Sequence, residues 1–110
     1  YERLACAPAW REALVTASGT VALPFATSDA ISGDLDVASE RAERSGASVE
    51  SMEGFGAALA CARLGLPFAE LRGISNVAGV RDKAAWDVRG AVRAASDAIL
   101  AALRLGPSDD

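Results

Sequence analysis

Three glycines close three stretches of helical periodicity, and short apolar or β-branched runs lie between them, so the chain is restricted to an α/β fold. Residues 8–17 open with Pro8, carry Trp10 and Leu14 four apart and stop before Gly19, as a helix entered through proline and left through glycine does. Residues 25–31 predict a strand, with Pro24 confined to its start, and Ser32-Gly33-Asp34 predicts a turn. Asp34 or Asp36 caps the next helix, which pairs Glu40 with Arg44 at i,i+4 and ends at Gly46. Residues 47–51 read as a second strand. Phe55, Leu59 and Ala62 then recur at helical spacing over residues 53–64, and Gly65 followed by Pro67 ends that helix. Residues 67–75 predict a third strand, interrupted by Glu70 and Arg72, and 76–86 a loop. Asp87 caps a long final helix whose stripe of Val88, Val92, Ala95, Ile99 and Leu103 is the expected core face, with Gly106-Pro107 as its end. Helices between all strands imply a largely parallel sheet covered on both faces.

Composition narrows the chemistry. The 110 residues fit one domain, and a net charge of −4 without a basic stripe argues against nucleic acid or an anionic membrane as partner. No apolar run approaches the roughly 20 residues of a spanning helix, and no signal peptide follows Tyr1. The chain has no His and two unpatterned cysteines, Cys6 and Cys61, so neither a metal site nor a CxxC motif is available and no cofactor is expected. Reduced thiols fit a cytoplasmic protein. Without His, the usual general base of Ser and Cys hydrolases is missing as well. Catalysis here has to run on carboxylates, amides and backbone dipoles.

Two stretches stand at the carboxyl ends of strands, where open α/β sheets bind ligands: Val49 to Gly56, and Gly73-Ile74-Ser75-Asn76. Gly54-Phe55-Gly56 resembles the start of a dinucleotide fingerprint, but Leu59 replaces the third glycine and Glu53 would repel the phosphates. Glu53 at a helix start is open to two readings. One is a dipole-stabilised cap, the other an ionised carboxylate that accepts two hydrogen bonds from a vicinal diol such as a ribose. Met52 is then either ordinary core or an apolar floor beneath the sugar. Such a grip stabilises an oxocarbenium-like transition state while a glycosidic bond breaks.

Val49-Glu50-Ser51-Met52-Glu53-Gly54, then Leu66-Pro67-Phe68, then Arg72-Gly73-Ile74-Ser75-Asn76 resembles the nucleoside phosphorylase and nucleosidase superfamily, in which a Met-Glu pair and an Arg-x-Ile-Ser-Asp/Asn motif occur in this order. Asn76 in place of Asp, with Gly79-Val80-Arg81-Asp82 and Trp86-Asp87 downstream, resembles its futalosine hydrolase branch. The resemblance covers about residues 25–103. It implies a three-layer α/β/α, nucleoside phosphorylase-like fold with a mixed, largely parallel sheet. Residues 1–110 would be the carboxyl-terminal part of a single domain that is incomplete at the N-terminus. The implied activity is N-glycosidic hydrolysis of a 6-oxopurine nucleoside, futalosine, in menaquinone biosynthesis, by a homodimer or larger homo-oligomer. An adenine-specific MTA/SAH nucleosidase, a purine nucleoside phosphorylase and a non-catalytic nucleoside-binding or assembly module are the alternatives.

Carried over residue by residue, the resemblance makes Glu53 the ribose diol ligand, Met52 the residue beneath the sugar and Asn76 the group at the purine N7 edge, with Ser75 beside it a further substrate-binding candidate. An amide accepts from N7–H and donates to O6, which suits hypoxanthine. Arg72 is a structural ion-pair partner or orients Glu53. Arg81, with Trp86 beside it, is a candidate for the carboxyphenyl group of futalosine. Where adenine-specific relatives place a stacking aromatic after the Ser-Gly-Asp turn, this chain has Leu35, Asp36 and Val37, so backbone near Val37 is the candidate for holding the purine. The family's water-activating carboxylate has no counterpart here and is expected upstream of Tyr1; these residues alone are expected to be inactive.

Overall fold

The computed structural model describes residues 2–105, in the order α1 (Pro8–Ser18), β1 (Phe25–Thr27), α2 (Leu35–Ser45), β2 (Val49–Ser51), α3 (Gly54–Leu64), a single 3-10 turn (Lys83–Ala85) and α4 (Val88–Leu105). The helix limits follow local chemistry. Pro8 starts α1, Asp34 caps α2 by accepting from the Val37 amide at 2.8 Å, and Asp87 caps α4 by accepting from the Gly90 amide at 2.9 Å. Gly19, Gly46 and Gly65 end the first three helices with φ of 68°, 70° and 70°, a left-handed conformation that a side chain would strain. The Gly106-Pro107 stop lies outside the described residues.

β1 and β2 pair in parallel, in the register Phe25 with Val49, Ala26 with Glu50 and Thr27 with Ser51. Bonds from Ser48 N to Pro24 O and from Ser28 N to Ser51 O, both 2.9 Å, continue the pairing by one residue at each end. The structure corrects three expectations. β1 stops at Thr27 instead of reaching residue 31, because the amide and hydroxyl of Ser32 both bond the Glu50 carboxylate and draw the chain out of the ladder. Residues 67–75 form no strand. Their backbone is tied at its ends, Phe68 O accepting from Ala7 N and Ser75 O from Asp87 N, each at 2.7 Å, and the sheet has two strands among the described residues.

The third correction concerns α4. It packs on α1, but through Ala98 and Ala102, both buried, against the face of α1 that buries Ala13 and Leu14. Val92 and Leu103 of the expected stripe remain 60% exposed. Alanines let two helix backbones approach closely, so the small-residue arc of α4 takes the partner and the bulkier arc beside it stays uncovered. α3 packs on β1 and places its first turn at the end of β2.

Candidate active site

Glu53 is the N-cap residue of α3, yet its side chain makes no capping bond. The donor such a cap would satisfy is taken by β1: Thr27 Oγ1 accepts from the Phe55 amide at 2.8 Å. Parallel pairing puts Thr27 opposite Ser51, two residues before Glu53, so the sheet supplies the cap and releases the carboxylate. Glu53 is 75% exposed and its Oε2 stands 3.5 Å from Arg72 Nη2. Glu53 thus caps α3 through no side-chain hydrogen bond, while its carboxylate stays at the positive end of the helix. Arg72 also donates through Nε to Glu70 Oε1 at 2.6 Å. A cleft of about 310 Å³ lies between the start of α3 and residues 68–72 and is lined by Glu53, Gly54, Glu70 and Arg72.

Asn76 is half-buried and held by its own loop. Its Oδ1 accepts from the Ser75 hydroxyl at 2.5 Å and its Nδ2 donates to Val77 O at 3.0 Å. Each bond uses half of what that end of an amide offers, leaving one lone pair and one N–H. The loop beyond Asn76 returns to the start of α2: a Cβ on Gly79 would strike the backbone of Asp34 and Leu35. Val37 sits in the first turn of α2 with its amide already bonded to Asp34, so that amide is not free for a ligand. Met52 is exposed at the head of the Glu53 turn. Arg81 is exposed and forms no ion pair among the described residues, while the nearby Trp86 indole donates to Val80 O at 2.8 Å. The structure thus joins Glu53 to Arg72 and Ser75 to Asn76; Asn76, Met52, Val37 and Arg81 do not line the Glu53 cleft.

A cluster that the sequence did not disclose lies behind the site. Glu50 accepts from Ser32 N at 3.1 Å, Ser32 Oγ at 2.7 Å and Arg41 Nη1 at 2.9 Å, and Arg41 also holds Ala30 O at 2.6 Å. Burial alone would raise the Glu50 carboxyl, but the Ser32 and Arg41 hydrogen bonds outweigh it and hold the group below its ordinary value. Alternation along β2 puts Glu50 and Ser51 on opposite faces, but no local pattern marks Arg41 and Ser32 as partners of Glu50. Thr27 and Glu70 were missed for the same reason. No group of His, Cys, Asp and Glu among the described residues forms a metal site, and Cys6 and Cys61 are free and half-buried. No described helix is long and apolar enough to cross a membrane.

Residues 2–105 match the phosphorylase superfamily. The chain belongs to that superfamily. Within it, this phosphorylase-superfamily chain is 48% identical over 73 residues to the futalosine hydrolase of Thermus thermophilus, covering 66% of the chain and 32% of the relative. It is 49% identical over 59 residues to the futalosine hydrolase of Streptomyces coelicolor, covering 54% of the chain and 25% of the relative. The futalosine hydrolase of Acidothermus cellulolyticus is 52% identical over 48 residues, 44% of the chain and 20% of that protein. The chain thus spans at most about a third of the curated relatives it matches. No solved structure matches it.

Proposed function

We propose that this phosphorylase-superfamily chain is the carboxyl-terminal part of an N-glycosidase that hydrolyses futalosine to hypoxanthine and dehypoxanthinyl futalosine in menaquinone biosynthesis. The observation that carries this reading is the freed carboxylate of Glu53, exposed at the start of α3 because Thr27 has taken the capping role. The futalosine hydrolases it resembles and the amide at position 76 support a 6-oxopurine as the base.

In the proposed reaction Glu53 accepts from the 2′ and 3′ hydroxyls of the ribose, and its charge stabilises the positive charge that develops at the anomeric carbon. The bond from that carbon to N9 breaks and its electron pair stays with the purine. N7 takes up a proton from solvent as the bond breaks, so the base leaves neutral, and Asn76 Oδ1 accepts from the N7–H so formed while Nδ2 donates to O6, which lowers the energy of the departing base. Water adds to the anomeric carbon and gives its proton to a carboxylate that we place outside these 110 residues. Met52 underlies the sugar, Ser75 orients Asn76, Arg72 orients Glu53, Val37 borders the base, and Arg81 receives the carboxyphenyl group. The complete domain is proposed to be a three-layer α/β/α unit, cytoplasmic and homo-oligomeric, acting on a small nucleoside and not on nucleic acid or a membrane.

The test is hypoxanthine release from futalosine and from inosine by the intact protein and by its Glu53→Gln variant. Preference for futalosine and a loss of at least about 100-fold in kcat/KM on substitution are expected. Phosphate-dependent turnover would reassign the protein to a phosphorylase. A soluble Glu53→Gln variant with full turnover would leave a binding or assembly module. The 110-residue chain alone is expected to release no hypoxanthine.

A further inference from the structure

Glu70 has no role in the reaction as drawn, yet its carboxylate is the least exposed of the three charged groups at the Glu53 cleft. Its side chain is 15% exposed, against 36% for Arg72 and 75% for Glu53. One guanidinium serves both carboxylates, unequally, at 2.6 Å to Glu70 and 3.5 Å to Glu53. Coulomb attraction falls with distance and solvent screens the exposed partner more, so Glu70 wins the competition on both counts. Gly54 records the same arrangement from the other side. A Cβ on that buried glycine would collide with the Glu70 carboxylate, whose head group therefore occupies the space beside the first turn of α3.

We propose that Glu70 is a positioning residue of the sugar subsite: by holding Arg72 through Nε, it keeps the guanidinium from closing a two-point pair on Glu53. An arginine fork and a carboxylate left to themselves form a bidentate pair, and the two Glu53 oxygens would then be drawn toward the cation and away from the diol. With Arg72 retained by Glu70, Glu53 keeps one long, screened contact that orients it without consuming it. Arg72 does not leave Glu70 cheaply, because a carboxylate this enclosed would be stranded without its cation. The inference rests on the assignment of Glu53 to the diol.

The experiment is a double-mutant cycle in the intact protein, read as futalosine kcat/KM with the melting temperature of each variant alongside. Glu70→Ala is expected to lower kcat/KM about tenfold in the parent background and to have no further effect in the Arg72→Ala background. Glu70→Gln, whose amide oxygen still accepts from Arg72 Nε, is expected to restore most of the loss. Equal losses from Glu70→Ala in both backgrounds, or none in the parent, would overturn the proposal. If Glu70→Ala does not fold, Gly54→Ala displaces the same carboxylate while leaving it in the chain. It should reproduce the loss, and a soluble Gly54→Ala protein with parental kcat/KM overturns the proposal equally. Parent protein that releases no hypoxanthine sinks the diol assignment first, and this inference with it.

Discussion

Asn76 spends one lone pair and one N–H on its own loop, and the remaining lone pair and N–H are the ones the proposed reaction assigns to the base. An amide suits a purine that is protonated at N7 and carries an oxygen at C6. A protonated carboxyl in its place donates to N7 and accepts from a 6-amino group. Asn76→Asp is therefore expected to shift the ratio of kcat/KM for 6-oxopurine over adenine nucleosides downward by at least about tenfold, measured by competing the two substrates. Glu50 supplies a second prediction. Its carboxyl lies below the ordinary value of 4.5, so the stability it contributes is present above that value and is lost as pH falls through the lower folded-state value. The difference in unfolding free energy between parent and Glu50→Gln is expected to be constant near neutrality and to shrink below pH 4.5. A difference that does not change with acid would contradict the role given to the Ser32 and Arg41 bonds.

Helix ends were legible in the sequence because their causes are local. Pro8, Asp34 and Asp87 start helices through groups within three residues, and Gly19, Gly46 and Gly65 end them through their own backbone conformation. Strands and faces were less so, because pairing and covering depend on distant partners. Residues 67–75 have the apolar content of a strand, but their end carbonyls are claimed by Ala7 and Asp87. The bulky stripe of α4 has the right period for a core, yet α1 selects the alanines beside it. Ala102, which is 0% exposed, makes that choice testable. Ala102→Leu should destabilise the protein by about 1–3 kcal/mol by overpacking the α1–α4 contact, as read by chemical denaturation. The expected Val88–Leu103 core face would instead have made residue 102 a tolerant surface position.

The candidate site divides in the same way at the scale of the molecule. Glu53, Asn76 and Arg72 were readable from short motifs, whereas Thr27, Glu50 and Glu70 act through contacts 9 to 28 residues apart or across the start of α3. Of the described apolar residues, Ala13, Leu14, Ala58, Ala98 and Ala102 are buried, and four of these five are alanine. Meanwhile Val21, Leu64, Val92 and Leu103 are each at least 60% exposed. So little large apolar surface is enclosed that the 110 residues on their own are expected to bind a hydrophobic dye such as ANS and to melt without a sharp transition. A cooperative melt with no dye binding would show that this core suffices.

The proposed hydrolysis requires residues 53 and 76 to act on one nucleoside from its two ends. A crystal structure of the intact protein with a non-hydrolysable 6-oxopurine nucleoside tests this most directly. The expected result has both Glu53 oxygens within about 3 Å of the ribose 2′ and 3′ oxygens while the Asn76 amide lies within the same distance of N7 and O6. A ligand bound with either side chain turned into a separate cavity would contradict it.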